Sequence, residues 1–130
     1  MSPHRFAHRG WGWARLRSFA DAFRGLALVL RSQMNARIHA LATVGVLGAG
    51  WWLRLAAMEW ALVVFAVALV WTAEAANTAV EFLVDLVSPE EQPLAGKAKD
   101  AAAGAVLAAA IGAAIIGAIV FGPKLAAHFP

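Results

Sequence analysis

Apolar residues along this chain fall into four stretches, and each has its own period. Over residues 14–33, Leu16, Phe19, Phe23, Leu26 and Leu30 recur at alternating spacings of three and four, with Arg17, Arg24 and Arg31 every seven residues beside them. This spacing predicts an amphipathic helix lying in a membrane plane, its arginine heads snorkelling to lipid phosphates. A soluble bundle helix with a solvated basic edge would carry the same stripe. The three stretches that follow favour the membrane surface.

Residues 38–57 form a first spanning candidate, rich in Ala, Gly, Val and Leu. His39 lies near its start and Arg54 near its end, and Trp51 and Trp52 suit an interfacial belt. A short turn at 55–59 predicts that the next helix runs back antiparallel. That helix, 60–87, would be about 42 Å long at the helical rise, more than the roughly 30 Å hydrocarbon core, so its last turns project toward water. Residues 88–93 hold two prolines and no periodicity, which predicts a loop. A third span covers residues 98–122 and is uncharged from 101 onward. Within it Gly104, Ala108 and Gly112 make a small-residue stripe suited to close helix approach. Residues 1–13, with Pro3 and scattered Arg, His and aromatic side chains, predict a flexible interfacial tail, and 14–130 a single domain. The predicted class is an all-α membrane protein with one N-terminal amphipathic surface helix and three transmembrane helices.

Composition sharpens this picture. Hydrophobic residues make up 62% of the 130 and mean hydropathy is +0.67, against roughly 45–50% apolar residues in a soluble domain. The net charge is +3, yet seven of the eleven Lys and Arg lie in the first 37 residues, where Asp21 is the only acid. A basic front end suits an anionic membrane surface; nucleic acid is excluded as a partner by the apolarity of the rest. The same asymmetry predicts a cytoplasmic N-terminus. Three spans then put the turn at 55–59 outside, Lys97 and Lys99 inside, and the C-terminus outside, with Lys124 a minor exception. The location expected is the cytoplasmic (inner) membrane, multi-pass. Cysteine is absent, which rules out disulfides and thiolate sites. No cleavable secretory signal is expected, because no short apolar core precedes a small-residue cleavage site.

Candidate chemistry sits at the end of the second span. On a helix of about 100° per residue, Asn77, Glu81 and Asp85 all fall close to the face of Glu74, immediately after the uncharged run from Trp60 to Ala73. A charge as deep as Glu74 costs about 2.5–3.5 kcal/mol on insertion scales, so this face must meet protein, a cofactor or water. Lys97, Lys99 and Asp100 lie at the same interface beyond the loop. Carboxylates offer hard oxygens to Mg²⁺ or a general base, and lysines offer charge to phosphates. Together they are the equipment of phosphoryl transfer, where positioning and electrostatics dominate. Glu81 and Asp85 alone would read as a solvated helix end paired with Lys97 or Lys99; Glu74 does not fit that reading. There is no Gly-x-x-x-x-Gly-Lys-Ser/Thr and no Gly-x-Gly-x-x-Gly, and His4, His8, His39 and His128 show no metal spacing.

The runs Glu74-Ala-Ala-Asn77-Thr-Ala-Val-Glu81-Phe-Leu-Val-Asp85 and Pro93-Leu-Ala-Gly-Lys-Ala-Lys99-Asp100 resemble the prokaryotic diacylglycerol kinase / undecaprenol kinase family. The likeness extends over Phe23 to Gly122. It implies a small homotrimeric membrane kinase that binds ATP and Mg²⁺ at the cytoplasmic face, with active sites between subunits. It implies Glu74 as catalytic base supported by Asn77, Glu81 as metal ligand, and Glu81, Asp85, Gly96, Lys99 and Asp100 as nucleotide-binding residues. Asn35 and Arg37, in Asn35-Ala-Arg-Ile-His39, would support the lipid side. One departure stands out: Gln33 occupies a position where the family usually has a second metal-ligating Glu. A Gln carbonyl still ligates Mg²⁺, with one negative charge fewer.

The resemblance implies a primary lipid alcohol as acceptor, undecaprenol in preference to diacylglycerol, because the stretch from Ser88 to Val106 and the Asn-x-Arg-Ile-His run resemble the undecaprenol kinase branch more closely. Two alternatives remain open at this point. One is a non-catalytic helical membrane protein, such as a proton-path subunit using Glu74; it leaves the Lys97–Asp100 cluster unexplained. The other is a weakened kinase homologue, through Gln33.

Overall fold

The computed structural model describes residues 11–90 and 92–128. Four helices follow one another: α1 (Trp11–Ser32), α2 (Met34–Trp52), α3 (Ala57–Val87) and α4 (Pro93–His128). The expected tail falls mostly outside the described residues, but its last three positions, 11–13, are already helical. α2 starts four residues before the expected span and ends earlier, so the turn is 53–56 and Glu59 belongs to the first turn of α3. α4 outruns the expected span at both ends. Pro93 opens it at a position where a missing N–H costs nothing, and the helix passes through Pro123 to His128.

Both α3 and α4 are long and apolar enough to cross a membrane. α2 has 19 residues and carries Asn35, Arg37 and His39 in its first two turns, which lowers its hydropathy below theirs. The loop at 88–92 folds α4 back along α3, and this is the most extensive packing in the chain. The buried positions of α3 are Val63, Ala66, Val70, Glu74, Asn77 and Thr78. Their spacing of three and four places them on one face, so Glu74 continues the packed stripe rather than facing lipid. On α4 the buried residues are Val106, Ala109 and Val120. The stripe expected to mediate close approach does not do so within this chain. Gly104 and Ala108 are exposed, and a Cβ added at Gly104 or Gly112 would meet nothing within 4 Å. Much of the outer surface is apolar: Phe65, Leu69, Leu107, Ile111 and Ile119 are all exposed.

A single extended residue, Gln33, separates α1 from α2. Arg37 stabilises this break. Its Nε donates to the Leu30 carbonyl at 3.2 Å and its Nη2 to the Arg31 carbonyl at 2.9 Å, capping the last turn of α1, where carbonyls lack helical partners. The apolar face expected for α1 is exposed at Leu16, Phe19 and Phe23, with Arg24 paired to Asp21.

The α2–α3 turn closes by a Schellman pattern. Leu55 N–H donates to the Gly50 carbonyl at 3.1 Å and Arg54 N–H to the Trp51 carbonyl at 3.3 Å. Arg54 holds φ of 52°, where glycine is the usual choice and a side chain costs about 1–2 kcal/mol. Beneath the turn, Leu55, Val63 and Val120 form a core packed by Val46, Trp60, Ile116 and Phe121. Gly50 is needed there: a Cβ on it would lie 2.9 Å from the Trp60 ring and 3.0 Å from Leu55. Gly50→Val is therefore expected to destabilise the protein by about 1–3 kcal/mol through overpacking. Gly25→Ala, at a site with open space, should be neutral or stabilising by up to about 1 kcal/mol. Thermal unfolding of both variants in detergent checks the contrast.

Candidate active site

The extended backbone at Gln33 directs its side chain across to α3. There Gln33 Nε2 donates to Glu81 Oε2, while Asn77 Nδ2, one turn earlier on the same helix, donates to Glu81 Oε1 at 3.0 Å. Both carboxylate oxygens of Glu81 thus already have neutral amide donors. This bridge joins the α1–α2 break to α3. One further turn into the helix lies Glu74, 1% exposed. Thr78 Oγ1 donates to the Glu74 backbone carbonyl at 3.0 Å, but the Glu74 Oε2 and Asn77 Oδ1 atoms are buried with no hydrogen-bond partner among the described residues. Orphaned buried oxygens are costly. Two on adjacent turns of one face leave acceptor capacity for a proton, a hydroxyl or a cation.

The stripe is graded by depth: Glu74 and Asn77 are buried, Glu81 is half-buried and Asp85 is exposed. Beyond it, Lys99 Nζ lies 2.5 Å from Asp85 Oδ1, tying α4 to α3. Asp85, Gly96 and Lys99 all line one cavity of about 540 Å³ under the 88–92 loop, together with Ser88, Glu90 and Gln92. Gly96 adds no side chain there, and its N–H donates to the Gln92 carbonyl at 3.1 Å. The volume is in the range of small-molecule sites, and its lining sets one cation, Lys99, against two carboxylates, Asp85 and Glu90, with hydroxyl and amide groups beside them.

The expected site residues therefore separate into three groups. Gln33, Asn77 and Glu81 meet in one hydrogen-bonded unit above Glu74. Asp85, Gly96 and Lys99 surround one cavity. The remaining three sit apart from both: Asp100 is exposed and outside that cavity, and the Asn35 side chain is exposed with no hydrogen bond to a described residue. Arg37, expected on the lipid side, holds the end of α1. Residues that sequence reasoning missed include Ser88, Glu90 and Gln92 around the cavity. It also missed Trp71, whose Nε1 donates to Thr43 Oγ1 at 3.1 Å and fixes α2 against α3. A Trp and a Thr in the middle of otherwise aliphatic helices were the available cue.

Among the described residues no three His, Cys, Asp or Glu side chains converge, so a metal held by protein carboxylates alone does not fit. A Mg²⁺ ion fits differently, since it usually takes one or two carboxylates and completes its shell with phosphate oxygens and water. Glu81, Gln33 and the unpartnered Asn77 Oδ1 supply that kind of hard-oxygen donor set.

The profile of the prokaryotic diacylglycerol kinase family matches residues 20–121. The undecaprenol kinase of Bacillus subtilis is 40% identical over 109 residues, 84% of this chain and 89% of that protein. The diacylglycerol kinase of Synechocystis sp. is 42% identical over 93 residues, 71% of this chain but 53% of that protein, so the chain spans about half of that relative's length.

A charge exchange tests the Gln33–Glu81 bridge. Gln33→Glu replaces an amide donor with a second carboxylate. Without divalent cations its melting temperature should fall below that of the parent chain. In a Mg²⁺ titration it should recover, with half-saturation at about tenfold lower concentration because the donor set gains a charge. Identical Mg²⁺ responses in the two proteins would mean that these side chains do not share a cation.

Proposed function

The chain belongs to the prokaryotic diacylglycerol kinase family and is a lipid kinase; from that premise we propose that it transfers the γ-phosphoryl group of ATP, with Mg²⁺, to the primary hydroxyl of undecaprenol. The family implies a nucleotide phosphate donor and a divalent metal. Undecaprenol is favoured over diacylglycerol because the likeness to the undecaprenol kinase runs nearly the full length of both proteins, whereas the diacylglycerol kinase match covers only part of that relative. Membership in a kinase family answers the alternative of a non-catalytic proton-path subunit.

The observation that carries the mechanism is the buried, unpartnered Oε2 of Glu74. In this reading Oε2 accepts the proton of the lipid hydroxyl as its oxygen attacks the γ-phosphorus; the bond from that phosphorus to the bridging oxygen breaks and ADP leaves. Asn77 holds Glu81 and offers its free Oδ1 to the same space. Glu81 and Gln33 would hold Mg²⁺, which neutralises phosphate charge when bound. Asp85 orients Lys99, whose ammonium faces the cavity that suits the nucleotide, and Gly96 leaves the cavity wall low. Asp100, exposed one residue further, would reach the nucleoside at its rim. With Gln33 in place of an acid, metal binding rests on one carboxylate, so the enzyme should need more Mg²⁺ than a two-carboxylate site would.

A distance argument supports a third crossing by α2. Glu59 and Glu81 lie about 33 Å apart along α3, close to the thickness of the hydrocarbon core. Lys124 pairs with Glu59 at 3.0 Å, and Gln33 pairs with Glu81. α2 begins beside Gln33 and ends at the turn before Glu59, so it traverses the same interval. The basic N-terminal third favours a cytoplasmic N-terminus and active site in the inner membrane, with α1 on the surface. The apolar outer faces, and the small-residue stripe left free on α4, suit a homotrimer.

Glu74→Gln keeps shape and removes the base. It is expected to lower phosphoryl transfer by about 10²–10⁴-fold while nucleotide still raises the melting temperature as it does in the parent protein. The assay is transfer of label from ATP to undecaprenol in mixed micelles, beside a thermal titration with nucleotide. Full activity in the variant would remove Glu74 from the mechanism.

A further inference from the structure

The opposite end of the helices carries a second polar cluster that the kinase reaction does not use. There a cavity of about 520 Å³ is lined by Trp52, Leu53, Arg54, Lys124, Ala127 and His128. Trp52 and His128 stack edge-to-face with ring centroids 4.8 Å apart, which joins the end of α2 to the end of α4. Lys124 gives one contact to Glu59 at 3.0 Å and retains further N–H donors. The Arg54 guanidinium makes no ion pair or hydrogen bond with a described residue. Among the described residues, two cations stand against one carboxylate here, which leaves the pocket positive.

Arg54 is also in the wrong place for a structural residue. Its backbone has φ of 52° at the one turn position where glycine would relieve strain. Backbone strain kept at a residue whose side chain has no partner among the described residues points to a ligand. The pocket lies one hydrocarbon thickness away from Glu81, at the depth of Trp51, Trp52 and Trp60. That is headgroup depth, where the anion present in bulk is a lipid phosphate. Arginine binds such an anion through paired N–H donors, and the Trp52 ring would pack along the glycerol and upper acyl region.

We propose that this pocket binds the phosphodiester headgroup of an anionic phospholipid, in the leaflet opposite the kinase site. The bound lipid clamps the α2–α3 turn to the end of α4. Its charge selects anionic over zwitterionic lipid, and the interfacial tryptophan selects a lipid over a soluble phosphate.

The test uses delipidated full-length protein in a nonionic detergent, titrated with phosphatidylglycerol, phosphatidylcholine or glycerol phosphate while the melting temperature is followed. Phosphatidylglycerol should stabilise the parent protein, with little effect from the other two. Arg54→Gly relieves the backbone strain, so without lipid it should melt no lower than the parent and should keep its kinase activity. It should nonetheless need about fivefold more phosphatidylglycerol for half the shift, the loss of one headgroup-facing cation. Lys124→Gln should respond in the same direction. Parent-like phosphatidylglycerol titrations in both variants, or equal stabilisation by phosphatidylcholine, overturn the proposal. Equal stabilisation by glycerol phosphate overturns the assignment to a lipid.

Discussion

The polar half of this molecule is organised around one carboxylate, Glu81. Its two oxygens accept hydrogen bonds from Gln33 and from Asn77. The first bond fastens the α1–α2 break to α3, and the second orients Asn77 above the buried Glu74. Without Glu81, the amides of Gln33 and Asn77 would lose their common acceptor, in surroundings where replacing a hydrogen bond is difficult. α1 would then keep the bonds from Arg37 to its last carbonyls and the packing of its buried Val29. In the proposed mechanism the Glu81 oxygens that hold the fold together at this end are also the hard oxygens a metal–nucleotide would use. Structural and catalytic demands thus fall, in that mechanism, on one small group of side chains.

The two ends of the helices solve different problems. At the Glu81 end, charge is graded from exposed Asp85 to buried Glu74, so water-soluble phosphates and a lipid hydroxyl can be met at different depths by one helix face. At the other end, tight packing dominates: Gly50 admits the Trp60 ring, and Leu55, Val63 and Val120 close the core. Between the ends, α3 and α4 pack through small and β-branched residues, which suits helices that gain little from hydrophobic exclusion inside lipid.

The stripe of Glu74, Asn77, Glu81 and Asp85 was legible in the sequence because helical geometry alone determines which side chains share a face. A short loop between two strongly apolar runs brought Glu81 and Asp85 to the level of Lys97 and Lys99 but left the partners open; the structure pairs Asp85 with Lys99. Other features depended on tertiary contacts that periodicity does not encode. The family resemblance implies only a lipid-side role for Arg37, and nothing in the periodicity shows that the one-residue break at Gln33 brings the last carbonyls of α1 within its reach. The Gly104–Gly112 stripe reads as a packing surface, yet α4 turns it away from the rest of this chain. The helix at the first span candidate starts earlier than expected because Asn35 and Arg37 look like a flanking segment, although they already form the first turn of α2. Glu59 reads as a turn residue, yet its carboxylate accepts the Ala56 N–H at 2.6 Å and so starts α3.

The central claim is that this chain is a polyprenol kinase built on that stripe. The most direct measurement supplies purified protein with labelled ATP and equal amounts of undecaprenol and diacylglycerol in the same mixed micelles, then separates the lipid products. Label is expected predominantly in undecaprenyl phosphate. Label confined to phosphatidic acid, or absent from both products, would contradict it.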